Sequence, residues 1–371
     1  QTSVAVRVCD NNITGDTTSG SGISVQTDVG AALNNSFIEQ NFVRDYETNI
    51  RVQYGNCINL SVSGNQTSSH AVTGIEVQGQ GTGTAANLSV DGNRVSTQTA
   101  SQSYFVRAHM TGTGEYENLS VCDNDGRYTG LLIASGDGIH VESATAGSTR
   151  MVNAHICRNR VLSVEYGIRV GSGTTTNVRI DDNNVRDVNG GIDHELKGNT
   201  TGYSVSGNAV GARTDSTVTG LIYIYHDAAG YNFQEVTVDG NMVGGAISVA
   251  GSTHGGDAGI RVSAPLKAPD ARSVSISNNQ VRKSKSGIVA SFASASSVSV
   301  DANKVTSTSA NGVNVGLSTN GTIGDTIDVS VSGNSVSYWC ESGAGNAEGI
   351  KLFVGTNLSN FARGITMANN N

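Results

Sequence analysis

Thirteen times along the 371 residues the pattern apolar-x-x-Asn recurs, usually with a second apolar side chain two positions later. Its asparagines are Asn11, Asn41, Asn65, Asn93, Asn124, Asn159, Asn183, Asn208, Asn241, Asn279, Asn303, Asn334 and Asn370, spaced by 24 to 38 residues. Self-similarity at this period is the mark of a solenoid, in which each unit buries its apolar side only by stacking on its neighbours.

A second signal, Gly-Ile-x-Val or a close relative, lies between most of these asparagines, as at Gly74-Ile75, Gly138-Ile139, Gly167-Ile168, Gly259-Ile260 and Gly349-Ile350. The unit from Asn159 to Asn183 is only 24 residues long. That is too short for a helical crossover with its strands, but it accommodates three short strands and three turns. At period two, Leu60, Val62, Thr67, Ile75 and Val77 fall on one side while Ser61, Ser63 and Glu76 fall on the other, giving an apolar inside and a polar outside. The predicted fold is all-β: a right-handed single-stranded parallel β-helix of about 13 coils, three short strands per coil, and roughly 60 Å long at the spacing of neighbouring strands. The repeat continues without a linker, so residues 1–371 read as one continuous domain. The chain opens on an expected strand at Ser3 to Val8 and ends within a repeat, which reads as a segment of a longer polypeptide or of an assembly that covers both ends.

The repeated asparagine follows one strand and precedes another at a tight bend, where a short amide that tolerates left-handed backbone angles is favoured. Stacked in register, Asn65, Asn93, Asn124, Asn159, Asn183, Asn208, Asn241, Asn279, Asn303 and Asn334 are expected to form a structural amide ladder, with glycines such as Gly64 and Gly92 suiting the same bend.

These units, NLSVSGNQT at Asn59 to Thr67 and VSISNNQVRKSKSGIV at Val274 to Val289, resemble the repeats of right-handed parallel β-helix proteins of the pectate-lyase-like superfamily. The resemblance covers essentially the whole chain and concerns fold; that superfamily includes polysaccharide lyases, hydrolases, tailspikes, adhesins and scaffolds, and a fold does not fix a function. The Gly-His-Gly of polygalacturonases and the Trp-x-Asp-His and Arg-x-Pro-x-x-Arg signatures of pectate lyases are absent from the sequence. Asp181-Asp182 looks like a polygalacturonase aspartate pair but falls at the ladder turn.

Charge and cysteine content narrow the functional classes. A net charge of −8 with six lysines offers no basic stripe for phosphate, so nucleic acid is not an expected partner. No apolar run is long enough to span a bilayer. Of the five cysteines, Cys9, Cys122 and Cys157 stand two residues before a ladder asparagine; Cys122 and Cys157 fall in consecutive coils, within disulfide reach, and a bond between them implies an oxidising location. No cofactor and no metal site is read from the sequence.

Ionisable residues crowd the outward positions of the middle Gly-Ile-x-Val strands. One outward column reads Ser24, Arg51, Glu76, His140, Arg169, Asp193, Arg261, Asn314 and Lys351; a second holds Gln53, Gln78, Arg107, Glu142, Glu195 and Tyr225. His194, Tyr223, His226, Asp227 and Tyr231 lie near them, and Trp339 stands in a long loop. In enzymes of similar fold the sugar groove commonly runs along this strand. Glycoside hydrolysis needs two carboxylates about 5 to 9.5 Å apart. Glu142 and Glu195 are expected about 9.6 Å apart, two coils along, and Asp193 and Glu195 roughly 7 Å apart. The alternating signs of Glu142, Arg169 and Glu195 also suit a salt-bridged ladder between coils.

The sequence therefore supports an extracellular, cell-surface or virion-exposed β-helix that binds, and on one reading cleaves, polysaccharide along this face. Glu142, Asp193 and Glu195 are its carboxylate candidates, and His140, Arg169, His194, Tyr225, His226 and Arg261 its ligand contacts. The alternative is a non-catalytic structural or adhesive rod that packs against further copies or flanking segments of its own chain. A third reading takes the outward file Ser61, Ser89, Ser120, Ser204, Thr237, Ser275, Ser299 and Ser330 as an ice-binding array without acids or bases.

Overall fold

A computed structural model describes residues 3–16, 19–97, 103–130, 134–143, 149–213, 220–226, 231–245, 258–264, 271–306, 308, 310–317, 326–337, 348–354 and 362–371. The chain divides into two compact units, Gln1–Val188 and Asn189–Asn371. The described residues contain strands, turns and bends but no helix, and hence none long and apolar enough to cross a membrane.

Each unit is a right-handed parallel β-helix with three strands per coil. In the first unit one coil runs through Asn56–Ser63, the tight asparagine bend, Gln66–Ser68 and Thr73–Gly79. These strands belong to three separate parallel sheets, here called the approach, exit and Gly-Ile sheets. Among the described residues, the pairings within them are to the equivalent strand of an adjacent coil. The second unit repeats the pattern, as in Ala271–Ser277, Gln280–Arg282 and Ser286–Phe292.

Register places like upon like. Ile50, Ile75, Val106, Ile139 and Ile168 pair successively down the interior of the first unit, all at 1% exposure or less. Ile192, Ile222, Ile260, Ile288 and Val313 do so in the second. Each such side chain contributes about 1.5–3 kcal/mol relative to an exposed one, so the core is a set of aliphatic files.

The ladder uses the full hydrogen-bonding capacity of each interior amide. Asn65 Nδ2 donates to Asn93 Oδ1 at 3.0 Å and to the Ile38 carbonyl at 2.8 Å. Its Oδ1 accepts from both Nδ2 and the backbone N–H of Asn41 at 3.0 Å. The same pattern joins Asn93, Asn124, Asn159 and Asn183 in the first unit and Asn208, Asn241, Asn279, Asn303 and Asn334 in the second. These amides are buried, so satisfying two donors and two acceptor sites removes the desolvation cost that would otherwise forbid them. One expectation shifts by a residue: the left-handed backbone belongs to the position before the ladder asparagine, as in Gly64, Gly92, Asp123, Arg158 and Asp182.

A second amide ladder runs along the outside of the approach sheet in the first unit. Asn59, Asn87, Asn118, Asn153 and Asn177 each donate through Nδ2 to Oδ1 of the equivalent residue in the preceding coil, at 2.8 to 3.1 Å, the first acceptor being Asn35. All six have positive φ, a conformation that asparagine tolerates better than most residues. In the second unit the matching left-handed positions are Gly202, Glu235, Ser273, Ser297, Asp328 and Gly364, and the outer ladder gives way to mixed side chains.

The glycine of Gly-Ile-x-Val has a packing cause. A Cβ on Gly74 would lie 2.4 Å from Val95 Cγ1, and one on Gly138 would lie 2.2 Å from Val161 Cγ1, the valines being at the centre of the next coil's exit strand. Where the Gly-Ile position is instead Phe105, the facing exit residue is Gly126, whose Cβ would lie 2.2 Å from the Phe105 ring. Large and small have exchanged places and the packing is conserved.

Candidate functional site

The Gly-Ile sheet of the first unit gathers a dense polar cluster. Parallel register sets Arg51, Glu76, Arg107, His140 and Arg169 in one outward file and Gln53, Gln78, His109 and Glu142 in the next. Arg107 thus belongs to the first file, not the second, and His109, absent from the sequence-based columns, takes its place beside Glu142. The cause is the strand Tyr104–Met110, which carries Phe105-Val106 where other coils carry Gly-Ile.

At one end of the cluster Glu76 is nearly buried. It accepts from Arg51 Nε at 2.7 Å, lies 3.1 Å from His109 Nε2 and 3.6 Å from Arg107 Nη1. Burial alone would raise its pKa, but the hydrogen bonds from His109 and Arg51, reinforced by their charges, hold it down at about 2. This carboxylate is an ionised structural counter-ion between its strand neighbours Arg51 and Arg107, whereas Arg169, expected to ladder with Glu142, is the strand partner of His140.

At the other end, His140 is bracketed by two carboxylates: Nδ1 faces Asp137 Oδ2 in a short hydrogen bond and Nε2 lies 3.2 Å from Glu142 Oε2. Burial opposes protonation of this imidazole, but the bonds to Asp137 and Glu142 prevail and its pKa is raised. The bond from His140 in turn holds Glu142 at about 2 against partial burial, with smaller help from Arg107 and His109. The Glu142 side chain is 42% exposed, so it presents a fixed negative charge to solvent. Tyr104 meets the His140 ring edge-on at 5.3 Å, and Arg107 lies over the Tyr104 ring at 4.8 Å. Arg169 pairs in register with His140 and packs over Tyr166 at 5.1 Å; the strand partner of Glu142 on that side is Gly171.

Asp193 and Glu195 belong to the second unit, on Gly190–Leu196. Asp193 pairs with Tyr223 and Glu195 with Tyr225. Glu195 lies 3.1 Å from Lys197 Nζ, both side chains being part-exposed. Tyr223 and Tyr225 stack at 5.6 Å, and Arg261 lies over Tyr223 at 5.8 Å. Here the outward face is aromatic and cationic beside two acids.

His194 and His226 do not join that face. They are 0% and 1% exposed: His194 Nδ1 bonds the Tyr203 hydroxyl at 2.5 Å, and His226 Nε2 lies 2.9 Å from the Gly198 carbonyl. Burial lowers the His194 pKa to about 3, and both imidazoles lie among core side chains instead of on the outer face. Asp227, Trp339 and Cys340 lie outside the described residues.

On the approach sheet, Cys122 and Cys157 are register partners joined by a disulfide, with Cα atoms 4.5 Å apart. Cys9 and Cys57 are free thiols. The hydroxyl file is interrupted in the first unit, where Ser120 is followed by His155 and then Arg179; it is continuous from Ser204 through Thr237, Ser275, Ser299 and Ser330 to Thr366 in the second. Its neighbouring file carries Asp91, Asp181, Asp239 and Asp301, so the surface expected to lack acids holds them at intervals. No protein-family model, no curated protein and no solved structure matches this chain, and the reading of its outer face rests on the geometry above.

Proposed function

We propose that the chain is a polysaccharide-binding β-helix of pectate-lyase-like type, whose ligand face is the Gly-Ile sheet. The observation that carries this reading is the contiguous group Tyr104, Arg107, His140 and Glu142. An aromatic ring, a guanidinium, an imidazole braced for protonation and a part-exposed ionised carboxylate are held on hydrogen-bonded strands. Aromatic surface suits the C–H face of a sugar, and fixed charges suit its hydroxyl or uronate groups. Adjacent strands repeat at about 4.8 Å, so each coil is commensurate with about one extended sugar residue. The stacked Tyr223 and Tyr225 with Arg261 offer the same combination in the second unit.

Binding has stronger support than hydrolysis. A glycoside hydrolase needs one carboxyl that stays protonated as the acid, whereas Glu76 and Glu142 are both held at about 2. If this cluster supplies a proton, His140 is the group that carries it. The disulfide is in keeping with an extracellular or surface location.

A purely structural rod is the second reading, and the observation in its favour is Glu76, spent entirely on Arg51, Arg107 and His109. The two readings separate by measuring binding to, and chain scission of, a panel of neutral and uronate-containing polysaccharides with wild type, Tyr104→Ala and Glu142→Gln. Binding by wild type that the variants lose while retaining the β-sheet spectrum supports the proposal; inertness of wild type across the panel favours the rod.

A further inference from the structure

We propose that in its reduced form the first unit binds a zinc-class divalent cation through Cys122, Cys157 and His155, and that the disulfide is the state that closes this site. The three residues lie on one outward patch of the approach sheet. Cys122 and Cys157 face each other in register, and His155 precedes Cys157 by two residues on the same strand, so its side chain leaves from the same face. One ligand atom from each lies within 4.8 Å of the other two. Once the S–S bond is broken, rotation of the two cysteine side chains would open this set to a tetrahedral site with sulfur at about 2.3 Å and nitrogen at about 2.0 Å from the metal.

Two further features suit a metal. His155 Nε2 lies 3.2 Å from Asp181 Oδ2, the outer carboxylate contact that orients a ligating imidazole and fixes its tautomer; Nδ1 is then the nitrogen left for the cation. Cys122 and Cys157 are 4% and 1% exposed although they sit on the outer side of the sheet, so the thiolates are shielded while the imidazole, 41% exposed, forms the way in. The cross-link is not needed to hold the two coils in register: their strands are hydrogen-bonded, and Arg158 and Asp123, the residues after the two cysteines, form a two-pronged ion pair at 2.7 and 2.8 Å.

The chemistry balances. A dithiol or phosphine reductant supplies two electrons, two protons complete the thiols, and the S–S bond is broken. Binding of the divalent cation then releases both thiol protons, leaving two thiolates and a neutral imidazole around it, with a fourth position for water. A disulfide oxidant such as oxidised glutathione takes two electrons from the two thiolates and leaves as two thiols, the S–S bond re-forms and the ion is released.

The test uses cobalt(II) as a spectroscopic stand-in for zinc, with the whole chain produced in a reducing cytosol and kept under phosphine. Thiolate-to-cobalt charge transfer should saturate at one ion per chain, be displaced by zinc, and disappear when the protein is oxidised. Cys122→Ser should abolish the band and His155→Ala should weaken binding at least tenfold. Asp181→Asn should weaken it by about 10- to 100-fold, while Cys9→Ser and Cys57→Ser leave it unchanged. Reduced protein without the charge-transfer band overturns the proposal. So does a band that survives Cys122→Ser, or an affinity indifferent to His155→Ala in a variant whose β-sheet spectrum is intact.

Discussion

Replacing Asn159 by alanine isolates the contribution of the inner ladder. The Asn159 amide donates to the Val121 carbonyl at 2.8 Å and to Asn183 Oδ1 at 3.0 Å, and accepts from the backbone N–H and Nδ2 of Asn124 at 2.9 and 3.0 Å. Alanine fits the backbone there, since Asn159 is not among the left-handed residues, but it leaves the Asn124 backbone N–H and one Nδ2 hydrogen without acceptors in a buried site. At about 1–3 kcal/mol for each orphaned group, the loss is about 2–6 kcal/mol. Asn118→Gly is the matched control. It removes the outer-ladder bonds at 2.9 and 3.0 Å, keeps a residue suited to φ 57, and acts where water replaces the lost partner, so it should cost under about 1 kcal/mol. Urea unfolding with native-state hydrogen exchange is the assay, because in a repeat stack the damage concentrates in the coils that share the ladder step. Faster exchange should centre on residues 119–124 and 154–160. If Asn159→Ala stays within about 1 kcal/mol of wild type, or matches Asn118→Gly, the buried amides do not carry the stability assigned to them.

Three other outcomes follow from the same geometry. Gly126→Val should destabilise by about 1–3 kcal/mol through overpacking against Phe105, and Phe105→Gly in the same chain should recover much of that loss; additive losses in a double-mutant cycle would refute the size exchange. By proton NMR, His140 should titrate above 6.5 in wild type and lower in Glu142→Gln; an unchanged midpoint would mean that their bond is not populated in solution. Because Glu76 is held at about 2 in the folded protein, against about 4.3 for a free glutamate, its stabilising effect is present above pH 4.5 and is lost as pH falls towards 2. Glu76→Gln should therefore flatten the acid limb of the stability curve, and an unaltered limb would exclude this carboxylate as its source.

The architecture was legible because one rule, like residue above like residue, generates it. A period-two pattern with a recurring amide at each bend leaves a parallel coil as the economical arrangement, and the register bears that out. The features that are not legible lie where a coil breaks its own pattern. The strand with Phe105-Val106 lacks the Gly-Ile signature, so the motif alone sets Arg107 one file over and gives His109 no place. The outer ladder hides at a bulge where two successive residues, such as Ile58 and Asn59, both avoid the core; that doubled outward step is its sequence signal. The orientation of His194 was readable, since it alternates with Ile192 and Leu196, both core residues, and a histidine in that phase points inward. The bracketing of His140 was not, because Asp137 reaches it from a position that strict alternation assigns no role.

The two rows of side-chain amides in the first unit point in opposite senses. The inner row donates from each coil to the one that follows it in sequence, and the outer row donates back to the one before. Each row aligns its amide dipoles and is strengthened by mutual polarisation, but the two electric moments oppose one another. The second unit keeps the inner row, yet puts Gly202, Glu235, Ser273, Ser297, Asp328 and Gly364 where the outer amides would be. Its amide moment is therefore left uncompensated, with the positive end towards the later coils, and that electrical polarity favours negative charge at one extremity of the stack over the other.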